Sequence, residues 1–145
     1  MERLTSLEAF HGLKARLEVD GRHELPVIVI PAGTCGQASG ANDLTRITKR
    51  TLLERGLGDA VRLRITGCHG YCQMEPSVLI EPTRTFYPRV KLDDMPRIVE
   101  AVAEGRVLPD LLYIDPASGQ RVERQEDVPF FKYQQRTLLE RNERL

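Results

Sequence analysis

Three cysteines, Cys35, Cys68 and Cys72, are the side chains of this sequence best equipped for chemistry. An odd number cannot all pair within one chain, and a reducing compartment keeps thiols free for metals or electron transfer. Cys68 and Cys72 share a C-x-x-x-C spacing in Gly67-Cys68-His69-Gly70-Tyr71-Cys72, and Cys35 lies in Ala32-Gly33-Thr34-Cys35-Gly36. Both segments are rich in glycine. Iron–sulfur clusters need thiolates on such loops, because backbone amides must turn toward the inorganic sulfurs while bulky side chains stay clear. A plainer reading stands beside this one: Cys35 is a small buried residue, and Cys68 and Cys72 are loop thiols without a ligand role. A redox disulfide between Cys68 and Cys72 is less attractive, since thioredoxin-like exchange uses C-x-x-C. His69 could complete a tetrahedral zinc set with the three thiols, but adjacent residues in a short loop point apart, which works against Cys68 and His69 sharing one ion.

The remaining candidates carry less. His11 and His23 read as surface or helix-end histidines, and Thr34, Ser39 and Thr66 have no base at a useful spacing for nucleophilic work. The segment from Gly33 to Gly40 is not a phosphate-binding loop, because no Lys-Ser/Thr follows it.

The elements that must position these thiols can be read from periodicity. Thr5 and Glu8 have capping-box spacing, and Leu7, Phe10, Leu13 and Leu17 recur on one face, which predicts an amphipathic helix stopping before Gly21. Pro26-Val27-Ile28-Val29-Ile30 is a dense β-branched run ending at Pro31, as expected of a strand covered on both faces. The Cys35 loop comes next, then a helix over residues 42–55 with Leu44, Ile47 and Leu52 inward, ended by Gly56 or Gly58. Val61, Leu63 and Ile65 alternate with Arg62 and Arg64 in a half-buried strand that runs into the second cysteine loop. Val78-Leu79-Ile80 and residues 86–90 flank a polar turn and predict a hairpin. Asp93 or Asp94 caps a last helix with Met95, Ile98, Val99 and Val102 inward and Gly105 as its stop. Each cysteine loop thus follows a strand, and a parallel pairing of those strands would bring the loops to one edge. The order suits a small mixed sheet flanked by helices, an α/β thioredoxin-like layout. After Gly105, prolines at 109, 116 and 129 punctuate a polar stretch that reads as a linker. Residues 130–145 regain helical character, with Tyr133, Leu138 and Leu139 as anchors and no evident partner within the chain.

Composition bounds the rest. The 145 residues hold 21 Lys+Arg against 21 Asp+Glu, so broad electrostatic capture of nucleic acid or acidic membranes is not expected. The longest apolar run, Pro26 to Ala32, is too short to cross a bilayer, and Met1-Glu2-Arg3 lacks the start of a secretory signal, so the expectation is a cytoplasmic chain without membrane insertion.

Thr66-Gly67-Cys68-His69-Gly70-Tyr71-Cys72, followed by Glu75-Pro76-Ser77-Val78 and then Phe86-Tyr87-Pro88-Arg89-Val90-Lys91, resembles the thioredoxin-like [2Fe–2S] ferredoxin domain of NADH dehydrogenases and NAD(P)-linked hydrogenases. The resemblance covers about residues 26–105. In the tail, the run from Asp127 to Arg136 with Leu138, Leu139, Glu140, Arg141 and Asn142 is similar to the opening segment of the flavoprotein subunit that binds FMN and NAD(H), where a ferredoxin domain precedes the flavin domain. The resemblance implies a [2Fe–2S] cluster held by Cys35, Cys68 and Cys72. It also implies a flavin- and NAD-binding oxidoreductase subunit and other iron–sulfur subunits as partners. The family usually carries four cysteines, C-x4-C then C-x3-C. Here only Cys35 remains in the first loop, and Ile30 or Pro31 stands where the earlier cysteine would fall. The fourth ligand would then be a protein group elsewhere, water or another subunit; alternatively the chain is a clusterless docking module. Arg62, Arg64, Arg84 and Arg89 are candidate docking charges.

The expectation is therefore a ferredoxin-type domain over residues 1–105 and a linker and docking segment over 106–145, mobile in isolation and ordered in a complex. Any FMN or NAD(H) chemistry is expected on a partner or on a portion of the protein outside this sequence, because no nucleotide-binding fingerprint or acid–base pair is visible, and the chain is not expected to be a complete enzyme alone.

Overall fold

In the computed structural model, which describes residues 4–20 and 25–137, the chain begins with helix α1 (Leu7–Asp20), strand β1 (Val27–Pro31), a short helix α2 (Thr34–Ala38) and helix α3 (Ala41–Glu54). Strand β2 (Arg62–Thr66), the strands β3 (Val78–Glu81) and β4 (Thr85–Tyr87), and helix α4 (Met95–Ala103) follow. A second hairpin, β5 (Tyr113–Ile114) and β6 (Arg121–Val122), and a single-turn helix α5 (Pro129–Lys132) come last. Gly21, His23, Leu138 and Leu139, which carried expectations above, lie outside the described residues.

The four-stranded sheet has the order β2-β1-β3-β4. β1 runs parallel to β2, with Pro31 opposite Thr66, and antiparallel to β3, which pairs antiparallel with β4. Side chains alternate between faces along a strand, so each strand divides its apolar residues between two cores. Ile28, Ile30, Val78, Ile80 and Tyr87 pack against Leu44 and Leu52 of α3 and Met95, Ile98, Val99 and Val102 of α4. Val29, Leu79 and Phe86, on the opposite face, pack against Tyr113, Val128 and Phe131. The dense apolar reading of β1 is explained by this arrangement: Ile28, Val29 and Ile30 are all fully buried.

The second face is where expectation and structure part. Residues 130–145 had no foreseen partner within the chain, yet Phe131 is 9% exposed against the sheet, and Val128, in the stretch read as a linker, is fully buried. The backbone joins in: Phe86 donates its N–H to the Glu123 carbonyl at 2.8 Å, and Gln125 donates to the Arg84 carbonyl at 2.9 Å, so this segment continues the ladder beyond β4. The physical reason is that a sheet with apolar residues on both faces must have both covered. Of the helix expected over residues 130–145, the described part up to residue 137 forms one turn, α5, and Tyr133, the expected anchor, is 82% exposed.

Helix α1 forms where periodicity placed it, but Leu7, Phe10 and Leu17 are exposed rather than inward. Its cap is Ser6, whose hydroxyl accepts the Ala9 N–H at 3.1 Å, in place of Thr5. Arg64 and Arg84 are not idle docking charges either. Both guanidiniums pair with Glu81, and Arg84 also reaches Glu126.

These contacts set an expected outcome. Phe131→Ala should cost about 3 kcal/mol in denaturant unfolding, the usual scale for emptying an aromatic core site, while Tyr133→Ala should stay within about 0.5 kcal/mol. Hydrogen exchange should show the amides of Phe86 and Gln125 losing protection together in the Phe131 variant.

Candidate metal centre

Parallel strands end on the same side of a sheet, so the segments that follow β1 and β2 leave together. Ala32 donates its N–H to the Thr66 carbonyl at 2.9 Å, which extends the pairing past the last strand residue and aligns the two cysteine segments. They then touch at Gly33. A Cβ on Gly33 would lie 2.8 Å from the Cβ of Cys68 and 3.2 Å from its backbone nitrogen, so only glycine permits this approach. Gly36 is under a similar constraint, since its Cβ would sit 2.5 Å from the Pro31 carbonyl oxygen. The expected meeting of the two loops is thus realised. The expected loop around Cys35 is, however, the short helix α2, begun by Gly33.

All three cysteines are free thiols; Cys35 and Cys72 are exposed and Cys68 is half-buried. The sulfurs of Cys68 and Cys72 stand 4.0 Å apart. Two thiolates on one tetrahedral metal, with metal–sulfur bonds of ~2.3 Å, lie about 3.8 Å apart, so the pair is spaced to chelate a single metal ion. The Gly70 N–H points at the Cys68 sulfur at 3.2 Å, a contact that stabilises negative charge there. Burial pushes the Cys68 thiol up, the Gly70 N–H works against that, and the neighbouring Cys72 adds to the rise. Among the described residues no three His, Cys, Asp or Glu side chains converge to hold one ion, so Cys35 does not close on the pair as a mononuclear site. A two-metal cluster makes no such demand, because it divides its ligands between two irons.

His69 is not part of that ligand set. It is 2% exposed, its Nε2 lies 2.9 Å from the Thr66 hydroxyl, and its Nδ1 lies 3.4 Å from the Gln125 side-chain nitrogen. The Gln125 orientation follows from its other end, where the amide oxygen accepts from the Arg84 guanidinium, which can only donate. Gln125 therefore donates to Nδ1, Nε2–H donates to Thr66, and Thr66 donates to the Gly67 carbonyl at 3.2 Å. The zinc alternative loses its fourth ligand to this chain of bonds.

Tyr71, between the two ligand-spaced cysteines, stacks on Phe130 with ring centroids 4.0 Å apart and meets Phe131 edge-on at 5.6 Å. Its hydroxyl faces that of Tyr113 at 3.5 Å. This contact, followed by burial, pushes the Tyr113 phenol up to about 12. Sequence reasoning missed Gln125, Arg136 and the aromatic group around Tyr71. Gln125 lies in a polar stretch with no periodicity, so nothing marked it as buried; the adjacent pair Phe130 and Phe131 was the available signal.

No family model matches this sequence. Among solved structures, the chain is similar to the wild-type thioredoxin-like [2Fe–2S] ferredoxin from Aquifex aeolicus, with 20% identity and a TM-score of 0.56 over 61% of this chain and 96% of that one. Another structure of a thioredoxin-like [2Fe–2S] ferredoxin from the same organism matches at 21% identity and a TM-score of 0.54, covering 61% and 90%. A cysteine-to-serine variant of that ferredoxin matches at 18% identity and 0.55, covering 60% and 96%. Separately, no helix among the described residues is long and apolar enough to cross a membrane. The α/β sheet order, the paired loops and these neighbours agree on one architecture: the chain has the thioredoxin-like ferredoxin fold.

Two measurements test the local geometry. Gly36→Ala, whose new methyl meets backbone, should destabilise by about 1–3 kcal/mol, whereas Gly67→Ala, with open space around it, should stay within about 0.5 kcal/mol in thermal unfolding. For Tyr113, the unfolded phenol ionises at 10.0 and the folded one at about 12, so its contribution to stability is complete below pH 10 and is lost as pH rises toward 12. Ring-carbon chemical shifts should show Tyr113 ionising late, and Tyr71→Phe should move it back toward the ordinary value.

Proposed function

We propose that this chain is a one-electron carrier that holds a [2Fe–2S] cluster through Cys35, Cys68 and Cys72 and works within an NAD(P)H-linked oxidoreductase. The observation that carries the reading is the Cys68–Cys72 sulfur separation of 4.0 Å, in a loop packed against the backbone two residues before Cys35. The ferredoxin fold supports it. Cys68 and Cys72 would hold one iron and Cys35 would contribute to the other. Bound there, the cluster supplies uptake and release of single electrons. The chain's own residues do the rest: the Gly70 N–H stabilises charge on the Cys68 sulfur, and Gly33 lets the loops approach. A neutral fourth ligand in place of thiolate should raise the reduction potential, as imidazole does in Rieske centres. The flavin- and NAD-binding subunit is the proposed electron partner, on the resemblance of residues 127–142 to the opening of such a subunit. The setting would be the cytoplasm.

One observation favours a second reading. Ile30 is fully buried in the core and Pro31 is buried beside it, so the position where a fourth cysteine would fall belongs to the packed strand. A clusterless module that keeps the fold and docks a catalytic subunit would look the same there.

Anaerobic purification with iron and sulfide analysis separates the two. The expected outcome is about two irons and two sulfides per chain, matching the cluster's formula, with a paramagnetic signal after reduction. Cys68→Ser and Cys72→Ser should each abolish it. Colourless protein without iron after reconstitution would leave the docking module.

A further inference from the structure

We infer that the C-terminal segment is a strap that fixes the geometry of the Cys68–Cys72 pair, with Arg136 and Gln125 as its positioning residues. The inference rests on the proposed use of that pair as a ligand set. His69 and Tyr71, between the two cysteines, are held from residues 125–136, more than 50 positions further along the chain. The His69 ring is bonded by Gln125, itself 1% exposed, and the His69 carbonyl accepts from the Arg136 guanidinium. Gly70 lies beneath the same guanidinium: a Cβ there would be 3.8 Å from its terminal nitrogen. Tyr71 is stacked on Phe130. Arg136 is in turn seated over the Phe131 ring, 4.9 Å from its centroid, and Phe131 is anchored in the core on the sheet.

The physical consequence concerns one contact at the ligand. The Gly70 N–H reaches the Cys68 sulfur only while the intervening loop keeps its shape, and hydrogen bonds to ligand sulfurs help set cluster potentials. Outer contacts that orient ligands are commonly worth ten- to a hundredfold in metal affinity. Arg136 therefore acts through the loop rather than by touching metal. Its cation also lies at the loop's carbonyl, where it favours added negative charge.

The test uses the full chain as wild type, Arg136→Ala, Arg136→Lys and Gln125→Ala. Iodoacetamide labelling without metal, read by peptide mass spectrometry, reports access to each thiol, with Cys35 as the internal reference. Cadmium titration, read by thiolate charge-transfer absorbance, reports the pair as a chelate. For Arg136→Ala we expect labelling of Cys68 about tenfold faster with Cys35 unchanged, and cadmium binding weakened about tenfold or more. Arg136→Lys should recover part of both, because it keeps the charge but not the fork of donors. Where iron and sulfide are taken up, the potential of Arg136→Ala should be more negative than that of wild type. Unchanged Cys68 labelling and cadmium affinity in Arg136→Ala would overturn the strap, as would an equal rise at Cys35, which marks general loosening. Wild-type protein that takes up no iron or sulfide sinks the cluster reading, and the labelling result still decides the strap.

Discussion

The parallel pairing of β1 with β2 is the constraint on which the site depends. Two strands that run the same way deliver their C-terminal ends to the same side, and open α/β sheets place their chemistry at that edge for this reason. Here the register sets Pro31 opposite Thr66, and the Ala32 N–H continues the pairing by one more bond. From that point the two segments stay together until Gly33 meets Cys68. Backbone pairing thus brings together sequence positions more than thirty residues apart, and the only requirement on side chains at the crossing is that one of them be absent.

A second constraint is that polar groups inside a protein must find partners, since an unpaired donor or acceptor loses its water without compensation. His69 is buried between the half-buried Cys68 and the exposed Gly70. It is then obliged to pair both ring nitrogens, with Thr66 on its own segment and Gln125 on a distant one. Gln125 must in turn satisfy its oxygen, which the Arg84 guanidinium does from the turn after β3. A chain of obligations therefore runs from the cysteine loop through the C-terminal segment to the hairpin. Such a network specifies one arrangement more sharply than apolar packing alone, because any slip leaves a buried group unpaired.

The elements visible in the sequence were those whose signals are periodic. The run from Val27 to Ile30, the helix stripe of Met95, Ile98, Val99 and Val102, and the placement of Cys35 and Cys68 just after a strand all follow from residue types at fixed spacing. What stayed hidden depended on pairing between distant positions. Residues 106–137 carry their apolar residues without a helix or strand period, and the burial of Tyr113, Val128 and Phe131 becomes intelligible only once the sheet is seen to have a second apolar face in Val29, Leu79 and Phe86. The buried threonines of α3 were invisible for another reason: Thr45 and Thr48 satisfy their hydroxyls on the carbonyls one turn back, so polar residues pass as core residues. In α1 the helix forms as expected, but its apolar stripe stays exposed. Its stripe of Leu7, Phe10 and Leu17 is periodic, but periodicity states only that a face exists, not that anything covers it.

The three-thiol arrangement can be taken one step further from packing alone. On the cluster reading, a fourth protein ligand at the end of β1 would have to leave position 30 or 31. Ile30 is fully buried among α3, α4 and β3, and emptying a core aliphatic site costs on the order of 2–5 kcal/mol. Pro31 is held just as firmly, with Gly36 pressed close to its carbonyl so that α2 can start at once. The fold has thus committed the end of β1 to packing, and Cys35 is carried instead on α2, in the open. A ligand to complete the set must approach from outside the strand, at the exposed side where Cys35 and Cys72 already face solvent. On the proposed reading, water would take that position in the isolated chain, and a side chain from a docked subunit would take it in a complex. In the second case, docking and the electronic character of the cluster would be set by the same contact.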